Sequence, residues 1–146
     1  MSVLSFYHRA PAGEPPCLDG LTLLLVDDDS VNCILMSEFL QDTRAGFLWA
    51  HNGKVAVDMV RNNKVDIILM DYRMPVMNGY EASKKIREIN PDIPIILISA
   101  NCRETSLHGA EAGLFDQQLS KPLSENAIFS AITKCIEQKG EFRNVS

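Results

Sequence analysis

The chain has 146 residues, of which 14 are basic and 19 acidic, so its formal net charge is −5. Apolar residues make up 46% of the sequence and charged residues 23%, which is typical of one ordinary folded domain. An acidic chain without a Lys/Arg-rich run lacks the clustered cations that bind phosphate backbones, so direct nucleic-acid binding is not expected.

The N-terminal residues 1–20 are rich in proline, glycine and alanine, and we interpret them as a flexible tail or linker that lacks the apolar core of a secretory signal. The longest apolar stretches, Leu21–Val26 and Ile93–Ile98, are far shorter than the roughly 20 residues of a membrane helix. We therefore expect no membrane contact and a cytoplasmic protein. Its domain is predicted to cover residues 21–138, with a C-terminal tail at 139–146.

The four cysteines are scattered, with no C-x-x-C pair and no histidine at metal-ligand spacing. They are Cys17, Cys33, Cys102 and Cys135. This pattern predicts reduced thiols that mostly pack in the interior, and a disulfide between two of them is the less favoured interpretation.

The first predicted strand is the apolar run Leu21–Val26, which is followed by three aspartates and suits a strand buried on both faces. Asp29 or Ser30 can cap the first helix, because either side chain offers an oxygen to the unpaired N–H groups of a first turn. Apolar residues at helical spacing predict the buried stripe of this helix. They are Val31, Ile34, Leu35 and Phe39.

The second and third strands are predicted at Gly46–Ala50 and Val65–Met70, and the third ends at Asp71. Asn52 or Gly53 begins the second helix. Turn-forming residues then separate the third strand from the helix that follows it.

The third helix is predicted at Tyr80–Ile89, and the fourth strand at Ile95–Ile98, which stops at Ser99. A weak fourth helix over Arg103–Ala112 follows, interrupted by a glycine.

The fifth strand contains Leu119 and ends at Lys121-Pro122, because proline cannot continue a central ladder. The last helix extends from a cap at Ser124 to Gly140. Five strands alternating with five helices predict a parallel sheet covered on both faces. We therefore predict a doubly wound α/β fold with the flavodoxin-like strand order 2-1-3-4-5.

Polar residues follow the four strands that are contiguous in this order, and their carboxyl ends share one edge of the sheet. They are Asp27 and Asp28 after the first strand, Asp71 after the third, Ser99 after the fourth and Lys121 after the fifth. Neighbouring carboxylates need a counter-charge, and a set made only of oxygens suits Mg²⁺. We therefore predict a site for a transferring phosphoryl group.

Within this site the central carboxylate, Asp71, is the predicted nucleophile, because an aspartate can carry a phosphoryl group as an acyl phosphate. Asp27 and Asp28 are predicted to hold the metal, and the backbone carbonyl of Arg73 to add a ligand. Lys121 and Ser99 are expected to meet the phosphoryl oxygens. The third aspartate after the first strand, Asp29, is predicted to cap the first helix.

Four segments of the chain resemble one known family, the receiver domains of two-component response regulators and hybrid histidine kinases. The segments are Leu24–Asn32, Ile68–Pro75 with Asn78–Glu81, Ile96–Ala100 and Leu119–Pro122. The resemblance extends over about residues 21–138.

The resemblance implies phosphotransfer to Asp71 from a phosphohistidine on a sensor histidine kinase or a histidine phosphotransfer domain. It implies a need for Mg²⁺, a cis peptide at Lys121-Pro122, and Ser99 as the residue that follows the phosphoryl group. The face made by helix 4, strand 5 and helix 5 would then switch. Such a domain is no enzyme beyond its own phosphorylation and dephosphorylation, and acts through a downstream effector or a parent-chain output domain. We expect a monomer or a weak phosphorylation-dependent dimer.

The chain departs from the family at Gln118, three residues before Lys121, where an aromatic residue is common. A rotating aromatic side chain is therefore not predicted as part of the switch. Arg73 and the pair Ala100-Asn101 occupy positions at which the family tunes the lifetime of the phosphoryl group.

Two alternatives remain open at this stage. A phosphohydrolase of the haloacid-dehalogenase type would use Asp27 as its nucleophile, because Asp27–Val31 fits the Asp-x-Asp pattern of that class, although Asp71 would then be unexplained. Within the receiver interpretation, the chain is either a free-standing regulator or part of a hybrid kinase, and the pair Val31-Asn32 resembles the latter.

Overall fold

A computed structural model describes residues 14–100 and 112–145 of the chain. Within them, five parallel strands form one sheet in the order β2-β1-β3-β4-β5. The strands are β1 (Thr22–Val26), β2 (Gly46–Ala50), β3 (Ile67–Asp71), β4 (Ile95–Ser99) and β5 (Gln117–Ser120). The α-helices are α1 (Ser30–Leu40), α2 (Gly53–Asn62), α3 (Gly79–Ile89) and α4 (Glu125–Val145). The predicted doubly wound, flavodoxin-like α/β fold is confirmed.

Alternate residues of the strands face opposite sides of the sheet, and each side carries its own apolar core. Leu23 and Leu25 of β1 belong to the cluster that includes buried residues of α1 and α4. Leu24 and Val26 belong to the cluster that includes buried residues of α2 and α3. All residues of β3 and β4 are buried, as expected for central strands covered on both faces.

Side-chain caps fix where the first three helices begin. Asp29, not Ser30, caps α1, and its carboxylate accepts the N–H of Val31 at 2.9 Å. Asn52, not Gly53, caps α2. The cap of α3 is Asn78, so this helix begins one residue before the predicted Tyr80. Each cap satisfies an N–H group that has no partner within its helix.

The predicted buried stripe of the first helix is wrong. The residues of α1 that face the core are Cys33, Met36 and Leu40. The residues predicted there are exposed or half-buried: Val31 is 69%, Ile34 46% and Leu35 37% exposed, and Phe39 is half-buried. Both sets have helical spacing, because α1 is apolar on nearly every side, so periodicity alone does not select the inward face.

The packed part of the chain begins earlier than the predicted boundary at Leu21. Pro16 and Leu18 are buried, and the N–H of Leu18 donates to the carbonyl of Thr43 at 2.7 Å. Residues 16–20, predicted to belong to a flexible tail, therefore include two that are buried. The proline- and glycine-rich composition of this segment does not indicate that Leu18 is part of the core.

The C-terminal helix continues beyond its predicted end at Gly140, as far as Val145. Glycine inside a helix costs about 1 kcal/mol relative to alanine but keeps its N–H group, so it does not by itself end a helix. The fourth helix predicted at Arg103–Ala112 lies outside the described residues except for Ala112, which begins a 3₁₀ turn. The helix predicted as the fifth is therefore α4.

Among the described residues, no helix combines the length and the apolar character needed to cross a membrane. Cys17 is exposed, Cys33 and Cys135 are buried, and none of these three is in a disulfide. Cys102 lies outside the described residues.

Candidate functional site

A cleft of about 280 Å³ opens at the carboxyl ends of the strands. All six predicted site residues line it, namely Asp27, Asp28, Asp71, Arg73, Ser99 and Lys121. The remaining lining residues are Asp29, Asn32, Tyr72 and Ala100. The structure thus brings together side chains that are far apart in the sequence, as the predicted strand order requires.

The sheet continues its hydrogen bonding just past the strand ends, and this fixes the starts of the loops that form the cleft. The N–H of Asp27 donates to the carbonyl of Ala50 at 3.1 Å, and the N–H of Tyr72 donates to Ile98 at 2.9 Å. The N–H of Lys121 donates to the carbonyl of Ser99 at 2.8 Å. The backbone beside each functional side chain is therefore held by a neighbouring strand.

The loop after β3 is held against the strand by Gly79. Its N–H donates to the carbonyl of Tyr72 at 2.8 Å, and a Cβ added at Gly79 would collide with the carbonyl oxygen of Asp71. Only glycine allows this approach of α3 to the strand. The motif Asn78-Gly79 predicted a turn, but not this close contact.

Three carboxylates meet in the cleft. Asp27, Asp28 and Asp71 each offer an oxygen, and these oxygens all lie within 4.8 Å of one another. Asp27 and Asp71 are 2% and 5% exposed, whereas Asp28 is exposed. Three oxygens at this separation on the wall of an open cleft fit Mg²⁺, which prefers carboxylates and keeps several of its waters.

Lys121 contacts two of these carboxylates. Its Nζ lies 3.0 Å from Oδ1 of Asp71 and 3.5 Å from Oδ2 of Asp27. The other oxygen of Asp27, Oδ1, accepts the N–H of Asp29 at 2.9 Å. The peptide bond between Lys121 and Pro122 is cis, as expected.

The pKa of Asp71 is raised from 3.8 to about 6, because burial and the charge of Asp27 outweigh the stabilising contact with Lys121. Burial also raises the pKa of Asp27, although the N–H of Asp29, the charge of Lys121 and a hydrogen bond from the Asn32 side chain oppose the change. Burial alone would lower the pKa of Lys121, but its contacts with Asp71 and Asp27 raise it. The site holds excess negative charge, which favours binding of a divalent cation.

Asn32 is the site residue that sequence reasoning missed. It lies in the first turn of α1 and lines the cleft beside Asp27. The sequence shows Asn32 five residues after Asp27, but the cap at Asp29 is needed to show that it faces back toward the strand end.

Comparison with known proteins gives the same family throughout. The sequence profile of the response regulator receiver domain matches residues 23–133. The chain is 41% identical to the autoinducer 1 sensor kinase/phosphatase LuxN of Vibrio campbellii over 107 aligned residues. These residues make up 73% of this chain and 12% of LuxN. It is 31% identical to the sensor histidine kinase RcsC of Escherichia coli over 127 aligned residues, and these make up 86% of this chain and 13% of RcsC. The chain therefore spans only a small part of these relatives.

A solved structure of similar fold is also a receiver domain. The receiver domain of the sensor histidine kinase PA1611 from Pseudomonas aeruginosa carries a magnesium ion coordinated in its active-site cleft. It matches this chain with a TM-score of 0.74 and 28% sequence identity, covering 81% of this chain and 98% of the PA1611 domain. With the family profile spanning most of the sequence, the chain belongs to the response regulator receiver domain family.

Proposed function

We propose that this domain is the phosphoacceptor of a two-component phosphorelay and that Asp71 accepts the phosphoryl group. The donor would be a phosphohistidine on a sensor histidine kinase or on a histidine phosphotransfer domain. The observation that carries the proposal is the buried Asp71 carboxylate, which lies 3.0 Å from the Lys121 ammonium and beside two further carboxylates in an open cleft.

In this reaction an oxygen of Asp71 attacks phosphorus while the bond between phosphorus and the donor imidazole nitrogen breaks. The bonding electron pair returns to the imidazole, and an acyl phosphate forms on Asp71. Lys121 is placed to exchange its contact with the Asp71 carboxylate for one with a phosphoryl oxygen, since both partners are anions. The chain's main contribution is to position and neutralise charge.

The carboxylates of Asp27, Asp28 and Asp71 would hold Mg²⁺, with the backbone carbonyl of Arg73 as a further ligand. Their spacing and oxygen chemistry support this, as does the magnesium ion in the PA1611 receiver domain. When bound, Mg²⁺ offsets the negative charge of the phosphoryl oxygens.

The output step proposed here begins at Ser99, which ends β4, lines the cleft and is 2% exposed. The backbone N–H of Lys121 donates to the carbonyl of Ser99, so a displacement of one strand end would displace the next. Phosphorylation would then alter the face formed by the predicted fourth helix, β5 and α4. Gln118 is exposed in β5, so any movement there proceeds without an aromatic ring.

The setting of the domain is also a proposal. The similarity to LuxN and RcsC supports a receiver within a hybrid sensor kinase, whose output domain or phosphorelay partner reads the signal. The three described cysteines are not in disulfides, which supports a reducing, cytoplasmic setting. Self-phosphorylation and self-dephosphorylation would be its only catalysis.

The proposal is tested by incubating the domain with acetyl phosphate and measuring its intact mass. We expect an alkali-labile gain of one phosphoryl group that requires Mg²⁺ and is lost on adding EDTA. Asp71→Asn should abolish the gain. Asp92→Asn, which replaces an exposed aspartate before β4, is the matched control and should retain it.

The same assay separates the alternative phosphohydrolase, whose nucleophile would be Asp27. Label that survives Asp71→Asn and disappears in Asp27→Asn would show that alternative to be right. Loss of label in Asp71→Asn, with slow labelling retained in Asp27→Asn at high Mg²⁺, supports the receiver.

A further inference from the structure

Val76 adopts a backbone conformation that residues of its type disfavour. Its φ is +70°, and the N–H of Met77 donates to the carbonyl of Pro75 at 2.7 Å. This hydrogen bond closes a three-residue turn around Val76, and a γ-turn with a positive φ at its centre is rare and strained. Valine is β-branched, which adds to the strain. Val76 is also 78% exposed, so packing of its side chain does not offset the cost of this conformation.

The loop that contains Val76 is held at both of its ends. At its start, the carbonyl of Tyr72 accepts the N–H of Gly79 at 2.8 Å. Near its end, Met77 lies against the first residue of α2, where a Cβ added at Gly53 would be 2.5 Å from the carbonyl oxygen of Met77. A strained backbone persists only where its surroundings fix it, and these two contacts leave the residues between them little freedom to relax.

The strained turn belongs to the loop that forms one wall of the cleft. Tyr72 and Arg73, the first residues of this loop, line the cleft, and the backbone carbonyl of Arg73 is a proposed ligand of Mg²⁺. This ion demands near-ideal octahedral geometry, so a carbonyl that is already in place binds it at a smaller cost in conformational entropy. Glycine tolerates a positive φ, but it also allows many more backbone conformations than valine.

We propose that Val76 is a positioning residue, whose restricted backbone holds the loop that presents the Arg73 carbonyl to Mg²⁺. Because both ends of the loop are fixed and valine has few allowed conformations, the turn keeps one geometry. The domain then gives up some stability in return for a higher affinity for the ion. This inference rests on the proposed function, because it presupposes that the cleft binds Mg²⁺.

The test measures two quantities for each variant of the unphosphorylated domain, the urea midpoint of unfolding in EDTA and the dissociation constant for Mg²⁺ by calorimetry. Val76→Gly should raise the urea midpoint by roughly 0.5 M, because the strain is relieved. It should also weaken Mg²⁺ binding by roughly tenfold, as loosening the support of a metal ligand does. A purely structural residue would not move the two quantities in opposite senses. Val76→Thr keeps the β-branched restriction and should retain both values.

Arg44→Gly is the matched control. Arg44 is the other non-glycine residue with a positive φ in the described part of the chain, at +66°, and it precedes the amino end of β2, at the edge of the sheet opposite the cleft. Its replacement should raise the urea midpoint and leave Mg²⁺ binding unchanged. Weaker binding in Arg44→Gly would show that relief of strain anywhere loosens the site, and would overturn the role of Val76.

The remaining contrary results can be told apart. A Val76→Gly variant that binds Mg²⁺ as tightly as the unsubstituted domain would show that the turn does not position the loop. A lower urea midpoint in Val76→Gly would show that the turn is not strained. Equal weakening in Val76→Thr would show that the apolar side chain matters and not the backbone. Failure of the unsubstituted domain to bind Mg²⁺ would instead contradict the proposed metal site.

Discussion

The ionised carboxylate of Asp71 should destabilise the folded domain, so Asp71→Asn should raise the free energy of unfolding when Mg²⁺ is absent. Asp71 is 5% exposed, and the pKa of its carboxyl is raised from 3.8 to about 6. Keeping such a group charged at neutral pH disfavours the folded state by roughly 3 kcal/mol, since a difference of one in pKa between the folded and unfolded states corresponds to about 1.4 kcal/mol. An amide removes this charge. It also gives up the ionic contact with Lys121, so we expect a net gain of about 1–3 kcal/mol.

The pH dependence has a definite sign. Because the folded pKa lies above the unfolded value, the folded state holds the proton more tightly, and the domain loses stability as the pH rises from about 4 through 6. Asp71→Asn lacks this loss, so its advantage should be large at pH 8 and small near pH 4. Mg²⁺ affinity of the unsubstituted domain should fall below about pH 6 for the same reason, because the ion requires the ionised carboxylate.

The measurement is urea unfolding in EDTA at several pH values between 4 and 8. The exposed Asp92→Asn serves as the control and should change the free energy of unfolding by less than about 0.5 kcal/mol at every pH. A variant Asp71→Asn that is less stable than the unsubstituted domain at pH 8 would contradict this reasoning. So would a stability difference that does not vary with pH.

Three further substitutions test separate features of the structure. Lys121→Ala should not weaken Mg²⁺ binding, because the ammonium competes with the ion for Asp71. The substitution should, however, remove the NMR chemical-shift response to acetyl phosphate. An unchanged response would refute the proposed contact of Lys121 with the phosphoryl group. Gly79→Ala should destabilise the fold by about 2–4 kcal/mol in urea unfolding, since its Cβ would collide with the Asp71 carbonyl, and a neutral effect would show that α3 can move away. Arg87→Ala should cost about 2 kcal/mol, because it leaves the carbonyl of Leu114 and the carboxylate of Asp116 without their shared donor; Lys84→Ala on the same helix is the control.

The strands and the placement of the site were predictable from the sequence because they depend on strong, local signals. Apolar runs that end abruptly in Asp27, Asp71 or Ser99 mark both a buried strand and its carboxyl end. Strand order then requires those ends to meet. The chemistry of the cleft follows from residue types whose roles in oxygen-ligand and phosphoryl sites are general.

The features that sequence reasoning missed depend on tertiary context. The inward face of α1 is set by the cap at Asp29 and the direction of the chain, since apolar residues occur on nearly all of its sides. Leu18 is one apolar residue among prolines and glycines, and only its burial beside Thr43 shows that it joins the core. Asn32 has no distinguishing spacing until the helix is placed beside Asp27.

The central claim is that Asp71 is the residue that carries the phosphoryl group. It is tested most directly by phosphorylating the domain with acetyl phosphate and Mg²⁺, reducing the acyl phosphate with borohydride, and mapping the modified residue by peptide mass spectrometry. The account predicts that the reduced residue, a homoserine, is found at position 71. Modification at Asp27 or Asp28 instead, or undiminished labelling of Asp71→Asn, would contradict it.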